Sequence, residues 1–237
     1  MLVKTLVLLC LLLTPQFLLA QDECVVLLHG LARISNAMGE LGNKLERAGY
    51  KVAKVNYPSR QFGVSTLAAD AVGRGLNQCD AMSTDTVHFV THSLGGILLR
   101  VYLHERELPE LGRVVMLGPP NQGSELVDGL SSVPGFSWFF GPVSSELGTV
   151  EGSLVHELGP ANFDLGIIAG NSNFYPVFNL LRPGPSDGIV TVESTKLAGM
   201  KQHLVLPVTH TFMMRNNEVI DHVIHYLKTG SFMPKNG

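Results

Sequence analysis

The chain has 237 residues, 45% of them hydrophobic and 16% charged, a balance that fits a packed globular protein and excludes a disordered one. A net charge of −3, with no run of Lys or Arg, excludes a nucleic-acid partner, which needs a basic surface. The length suits one sizeable α/β domain and is short for two.

Residues 1–20 differ in composition from the rest. Lys4 supplies a positive start, residues 5–13 an apolar stretch, Pro15 a break, and Leu18-Leu19-Ala20 a small residue before Gln21. This is the pattern of a signal peptide cleaved near Ala20, leaving residues 21–237 as a single exported domain, periplasmic or secreted. The apolar run is shorter than the roughly 20 residues that span a bilayer, so a retained anchor is the weaker alternative. Cleavage removes Lys4 and Cys10 and leaves two cysteines, Cys24 and Cys79. In an exported protein these can oxidise to a disulfide; two buried thiols are the other reading.

In chain order, the apolar run 24–28 reads as a strand buried on both faces. Residues 35–50 carry Met38, Leu41, Leu45 and Ala48 at helical spacing, closed by Gly49. A second strand follows at 51–57, then a helix over 64–79 with Leu67, Ala68, Ala71 and Leu76 on its apolar face. A strand at 86–91, a helix from 95 to about 105 and a strand at 113–117 continue the alternation. Residues 123–160 break it. Phe136, Trp138, Phe139 and Phe140 stand there among Pro and Gly, as a cap or acyl-binding wall or as a self-packed insertion. Strands resume at 165–169 and 203–208, and a helix over 218–227 closes the chain. This order predicts right-handed crossovers and a mainly parallel sheet flanked by helices, with ligands at the strands' carboxyl ends.

Chemistry concentrates at Thr91-His92-Ser93-Leu94-Gly95-Gly96, between a strand and a helix. A serine there is lifted on a strained turn where a substrate carbonyl can reach it, so Ser93 is the candidate nucleophile. Thr91 stands where the usual motif has its first Gly. A serine hydroxyl needs a base, and the base needs an orienting carboxylate. Of nine histidines, His210 follows the last strand at the sheet's carboxyl edge. His203 belongs at the opposite end, His88 within a strand, and His222 and His225 on the last helix, facing solvent; the side chain of His92 is expected to point away from that of Ser93. Asp187, in a turn with Gly188, is the preferred acid over Asp164 and Glu193. Two backbone N–H groups must meet the developing oxyanion. Leu94 supplies one, and Leu31, after His29-Gly30, the other. Met213 and Met214, with the 133–140 segment, are further candidates for the acyl site.

Together, Val-Val-Leu-Leu-His-Gly-Leu, Thr-His-Ser-Leu-Gly-Gly, Ser-Asp-Gly-Ile-Val and Val-Thr-His-Thr resemble an α/β-hydrolase of the small lipase and esterase type. Within it the chain resembles GPI inositol-deacylase-like hydrolases, whose elbow reads small-residue-His-Ser-x-Gly-Gly. The stretch Gly118-Pro-Pro-Asn-Gln-Gly-Ser124 is similar to one found at that place in such proteins. The resemblance spans about 24–232 and implies hydrolysis of carboxylic esters through an acyl-enzyme, without cofactor or metal. It assigns Ser93, Asp187 and His210 to a triad and Leu31 and Leu94 to the oxyanion hole. The expected substrate is an acyl or lipid ester, with Phe136, Trp138, Phe139 and Met213 as substrate-binding candidates. Transient contact with a lipid surface and a monomeric state are also expected. An acyltransferase or thioesterase would use the same triad, and a noncatalytic binding protein could share the scaffold.

Overall fold

The computed structural model describes residues 22–130, 141–149, 153–173 and 184–234. The leader at 1–20 and the aromatic candidates Phe136, Trp138 and Phe139 lie outside these residues. Strands β1 (Glu23–Leu28), β2 (Lys51–Val55), β3 (Thr86–His92), β4 (Leu111–Leu117), β5 (Leu165–Gly170) and β6 (Gln202–Leu206) form one sheet. Their order is β2-β1-β3-β4-β5-β6, and every pairing is parallel. Between them run α1 (Gly39–Arg47), α2 (Val64–Ala81) and α3 (Leu94–Glu105). The break after β4 holds short helices α4 (Glu125–Leu130), α5 (Val143–Glu146) and α6 (Leu154–Glu157), and α7 (Asn217–Thr229) closes the fold.

Period-two geometry sends alternate strand residues to opposite faces, and both faces are dry here. Cys24, Val26 and Leu28 of β1 join Phe89, Val114, Met116 and Ile167 in one core, packed with α2 and α3. Val25 and Leu27 join Val90, Val115, Leu117 and Ile168 in the other, packed with α1 and α7. Continuous burial of β1 explains why it reads as an unbroken apolar run and not as an alternation. The side chain of Asn216 caps α7 by accepting from the Val219 N–H at 3.1 Å. No helix among the described residues is long and apolar enough to cross a membrane.

Strand and helix bounds fall within about two residues of the sequence expectation, save both ends of the 35–50 segment, where α1 covers only Gly39–Arg47. Residues Ser35–Met38 form a 3-10 turn before α1 begins, since Ser35 and Asn36 favour turns over helix interiors. One final-helix histidine departs from expectation: His222 is buried against the edge of Phe232, not facing solvent.

Cys24 in β1 and Cys79 in the last turns of α2 are joined by a disulfide with Cα atoms 5.7 Å apart. The bond ties the sheet to its covering helix across 55 residues of sequence. A crosslink over so long a loop restricts the unfolded chain and is worth about 4 kcal/mol. Replacing both cysteines with alanine is therefore expected to lower the urea midpoint, by a stability loss of that order. Equal midpoints in parent and variant would show that the crosslink adds nothing.

Candidate active site

The carboxyl ends of β1, β3, β4, β5 and β6 converge on one edge, as registers Leu28↔Thr91, His92↔Leu117, Leu117↔Ile168 and Gly170↔Leu206 require. Directly past β3, Ser93 takes φ 53° and ψ −121° and caps α3. This conformation is costly for a residue with a Cβ, of the order of 1–3 kcal/mol, and persists only where packing imposes it. The packing is visible: a Cβ at position 95 would lie 2.6 Å from the Leu28 carbonyl oxygen and 3.0 Å from that of His29. Only glycine lets α3 start this close to the end of β1. Thr91, in place of the first motif glycine, is fully buried, and its hydroxyl lies 3.2 Å from where a Cβ at position 96 would be. Gly96 thus makes the room that Thr91 takes up.

His210 sits past β6, its backbone N–H donating to the Asp187 carbonyl at 2.9 Å. Its Nδ1 lies 2.7 Å from Asp187 Oδ2. The other carboxylate oxygen accepts from the N–H groups of Ile189 and Val190 at 2.9 and 2.8 Å. Asp187 is buried, yet each oxygen has a donor, as a carboxylate away from water requires. Gly118, after β4, lies against this pair at φ 53°; a Cβ there would stand 3.0 Å from Asp187 Oδ2 and 3.1 Å from His210 Nδ1.

Ser93 and His210 line the same cleft, of about 330 Å³, together with Leu31 and Leu94. Among the described residues no direct hydrogen bond joins the Ser93 hydroxyl to His210; such contacts are often loose before substrate binds. Leu94 is the first residue of α3, so its N–H has no intrahelical acceptor. The loop bearing Leu31 is held by His29, whose ring stacks on Tyr57 at 3.9 Å between centroids. His29 Nδ1–H donates to the Gly30 carbonyl at 2.8 Å, and the Tyr57 hydroxyl donates to the His29 carbonyl. Burial lowers the pKa of His29, keeping it neutral, with Nε2 free to accept from the Tyr57 N–H at 3.4 Å.

Of the structural and solvated readings of His92, the structure favours the structural one: it is buried in the cleft wall, its ring centroid 4.6 Å from that of His210. Its Nε2–H donates to the His210 carbonyl at 3.0 Å, so it fixes the backbone that carries the candidate base. Full burial, then the neighbouring His210, hold its pKa well below the usual imidazole range. The sequence signal was its position beside the serine, hidden because strand periodicity speaks only of direction.

Met213 does not line this cleft. It is fully buried in the core with Met214, Val208 and Val219, because the turn after His210 folds back under α7. The apolar wall comes instead from Val127, Leu147, Ile189 and Val190. Val127 and Leu147 belong to the insertion that the sequence marked as irregular. No group of three His, Cys, Asp or Glu among the described residues could hold a metal ion.

Burial holds His29, His88, His92, His203 and His222 below the ordinary imidazole value. These groups stay neutral in the folded chain where the unfolded chain takes up protons. Their contribution to stability is therefore complete above about pH 6.5 and is lost as pH falls below it. For the fully buried His92 the slope is up to about 1.4 kcal/mol per pH unit. Urea unfolding between about pH 7 and pH 5 should show a shallower decline for His92→Gln, whose amide does not titrate in this range. Parallel declines in the two proteins would mean that His92 is not a source of acid sensitivity.

No protein-family model matches the sequence, and no curated protein matches it. Solved structures do. The mature lipase BlEst2 of Bacillus licheniformis superposes with a TM-score of 0.66 at 19% identity, covering 90% of this chain and 93% of that one. Phospholipase PlaB from Legionella pneumophila gives 0.67 at 18% identity, over 89% of this chain and 60% of its own. The esterase EaEST from Exiguobacterium antarcticum gives 0.58 at 17% identity, over 87% and 92%. None of these three is described as an inositol deacylase. At such identities the likeness shows the fold alone: a six-stranded, all-parallel sheet flanked by helices, the α/β-hydrolase fold that these lipases and esterases share.

Proposed function

We propose that the protein is an exported serine hydrolase of carboxylic esters, working through an acyl-enzyme. The observation that carries this reading is the strained Ser93 in one cleft with His210, itself bonded to buried Asp187. Ser93 Oγ attacks the ester carbonyl while His210 Nε2 takes its proton, and Asp187 stabilises the imidazolium through Nδ1. The tetrahedral oxyanion is met by the N–H groups of Leu31 and Leu94. Collapse expels the alcohol, which receives the proton from His210. Water, activated by the same histidine, then releases the acid.

The names lipase, phospholipase and esterase borne by the structural neighbours agree with an ester substrate. The apolar wall of Val127, Leu147 and Ile189 suits an acyl chain. Export agrees with the leader composition and with the Cys24–Cys79 crosslink, a bond that persists in oxidising compartments.

Hydrolysis of p-nitrophenyl esters from acetate to palmitate is expected for the mature protein, with the chain-length profile set by the apolar wall. Ser93→Ala should lose at least about 10³-fold in kcat/KM, and Asp187→Asn roughly 10²- to 10⁴-fold. A fluorophosphonate should label the parent and not Ser93→Ala. Undiminished turnover by Ser93→Ala would overturn the assignment of the nucleophile.

A further inference from the structure

A second cavity opens beside the cleft, enclosing about 830 Å³. Arg33, Arg60 and Arg74 stand in its wall, and no carboxylate does among the described residues lining it. Arg74 is ion-paired with exposed Asp70 and Arg60 is engaged as well, so Arg33 is the guanidinium of this wall that a ligand would meet first. On a chain of net charge −3, this concavity gathers positive charge where the rest of the molecule is acidic.

The two cavities are not separate features. Ala32 and Arg33, from the loop after β1, line both. Ala32 turns the chain at φ 54°, and its N–H donates to Ser59 Oγ at 3.1 Å, which pins the loop between the cavities. The Arg33 guanidinium donates to Thr211 Oγ1 at 3.2 Å, one residue from His210. A guanidinium thus stands next to the candidate base, with most of its donors beyond the single bond to Thr211. Its neighbours in the chain and across that bond, Ile34 and Phe212, are among the exposed large apolar side chains, at 60% and 57%. Cation and apolar rim together match a substrate with an anionic part and an acyl part.

We propose that Arg33 makes the site selective for acyl esters that carry a phosphate on the alcohol side, the acyl chain lying along Val127, Leu147 and Ile189 and the phosphate entering the arginine-lined cavity. The inference rests on the ester-hydrolase reading above. Arg33 offers a planar fork that binds two phosphate oxygens at once, which a lysine cannot do. In the reaction the carboxylic ester C–O bond breaks and the acyl carbon bonds to Ser93 Oγ. The phosphorylated alcohol leaves with the proton from His210, and its phosphate ester stays intact.

The test uses two soluble esters with the same acyl group, 1-butanoylglycerol and 1-butanoylglycerol 3-phosphate. The phosphorylated ester should be preferred by about tenfold or more in kcat/KM, mainly through KM. The preference should shrink as NaCl rises from about 50 to about 500 mM. Arg33→Gln should remove most of the preference, and Arg33→Lys should keep part of it. Equal rates on both esters, each dependent on Ser93, would overturn the phosphate site and leave the hydrolase reading standing. A preference confined to micelles of the dodecanoyl pair would assign the charge effect to the lipid surface and overturn the cavity assignment. Failure to turn over these or any p-nitrophenyl ester would overturn both.

Discussion

The conformation of Ser93 is the constraint on which the rest of the site depends. A non-glycine residue at φ 53° and ψ −121° holds its place only if the strand before it and the helix after it cannot move apart. Here β3 is the third strand of six, paired on both sides, and its extension donates from Ser93 N–H to the Leu117 carbonyl at 2.9 Å. On the other side α3 is pressed against the end of β1 through Gly95. Sheet order, the glycine and the buried face of α3 all serve to impose one strained residue. The cost is local, and the tightly packed parallel sheet around it supplies the offset.

A second requirement follows from that burial. Placing imidazoles and a carboxylate at the dry edge of a sheet is unfavourable unless each polar atom is satisfied or neutral. The structure uses both routes. The carboxylate oxygens of Asp187 are met by two backbone N–H groups and by His210. His29 and His92 stay neutral, each spending a ring N–H on a backbone carbonyl. A charged His92 at 4.6 Å would oppose any positive charge on the His210 ring; its neutrality removes that repulsion.

Most of the architecture was legible from periodicity alone, because parallel strands buried on both faces leave unbroken apolar runs such as 24–28 and helices leave stripes such as Leu67, Ala71 and Leu76. Ser93, Asp187 and His210 stand out as candidates in the sequence because they fall in order at strand ends, where chain direction predicts a site, and the structure brings the three together at one sheet edge. Three things were not. His92 ends β3 and His222 lies inside α7, and at neither place do residue type and period tell a buried imidazole from a solvated one. Met213 reads as an acyl-site residue by proximity to His210, but a 3-10 turn rotates it into the core. Arg33 carries no local signal, since its role arises from a contact across 178 residues of sequence.

The insertion after β4 completes the cleft, and its attachment explains why an irregular segment can serve as a wall. Arg100 on α3, buried and with its pKa pushed down to about 10 by that burial, donates to the carbonyls of Asn121, Val155 and Gly159 at 3.1, 2.9 and 3.1 Å. Asn121 passes the connection on through its side-chain amide to the Thr195 carbonyl at 2.8 Å. Ser194 bonds Gly123, and the Ser124 N–H donates to the Leu147 carbonyl at 2.9 Å. One guanidinium thus fastens the segments bearing Val127 and Leu147 to the helix that begins after Ser93, and onward to the loop that bears Asp187. A buried arginine is tolerated because these carbonyls satisfy its N–H groups away from water. The apolar wall on one side of the cleft and Ser93, Asp187 and His210 on the other are therefore held by a shared set of polar contacts, so the shape of the cleft and the placement of Ser93 are mechanically one problem.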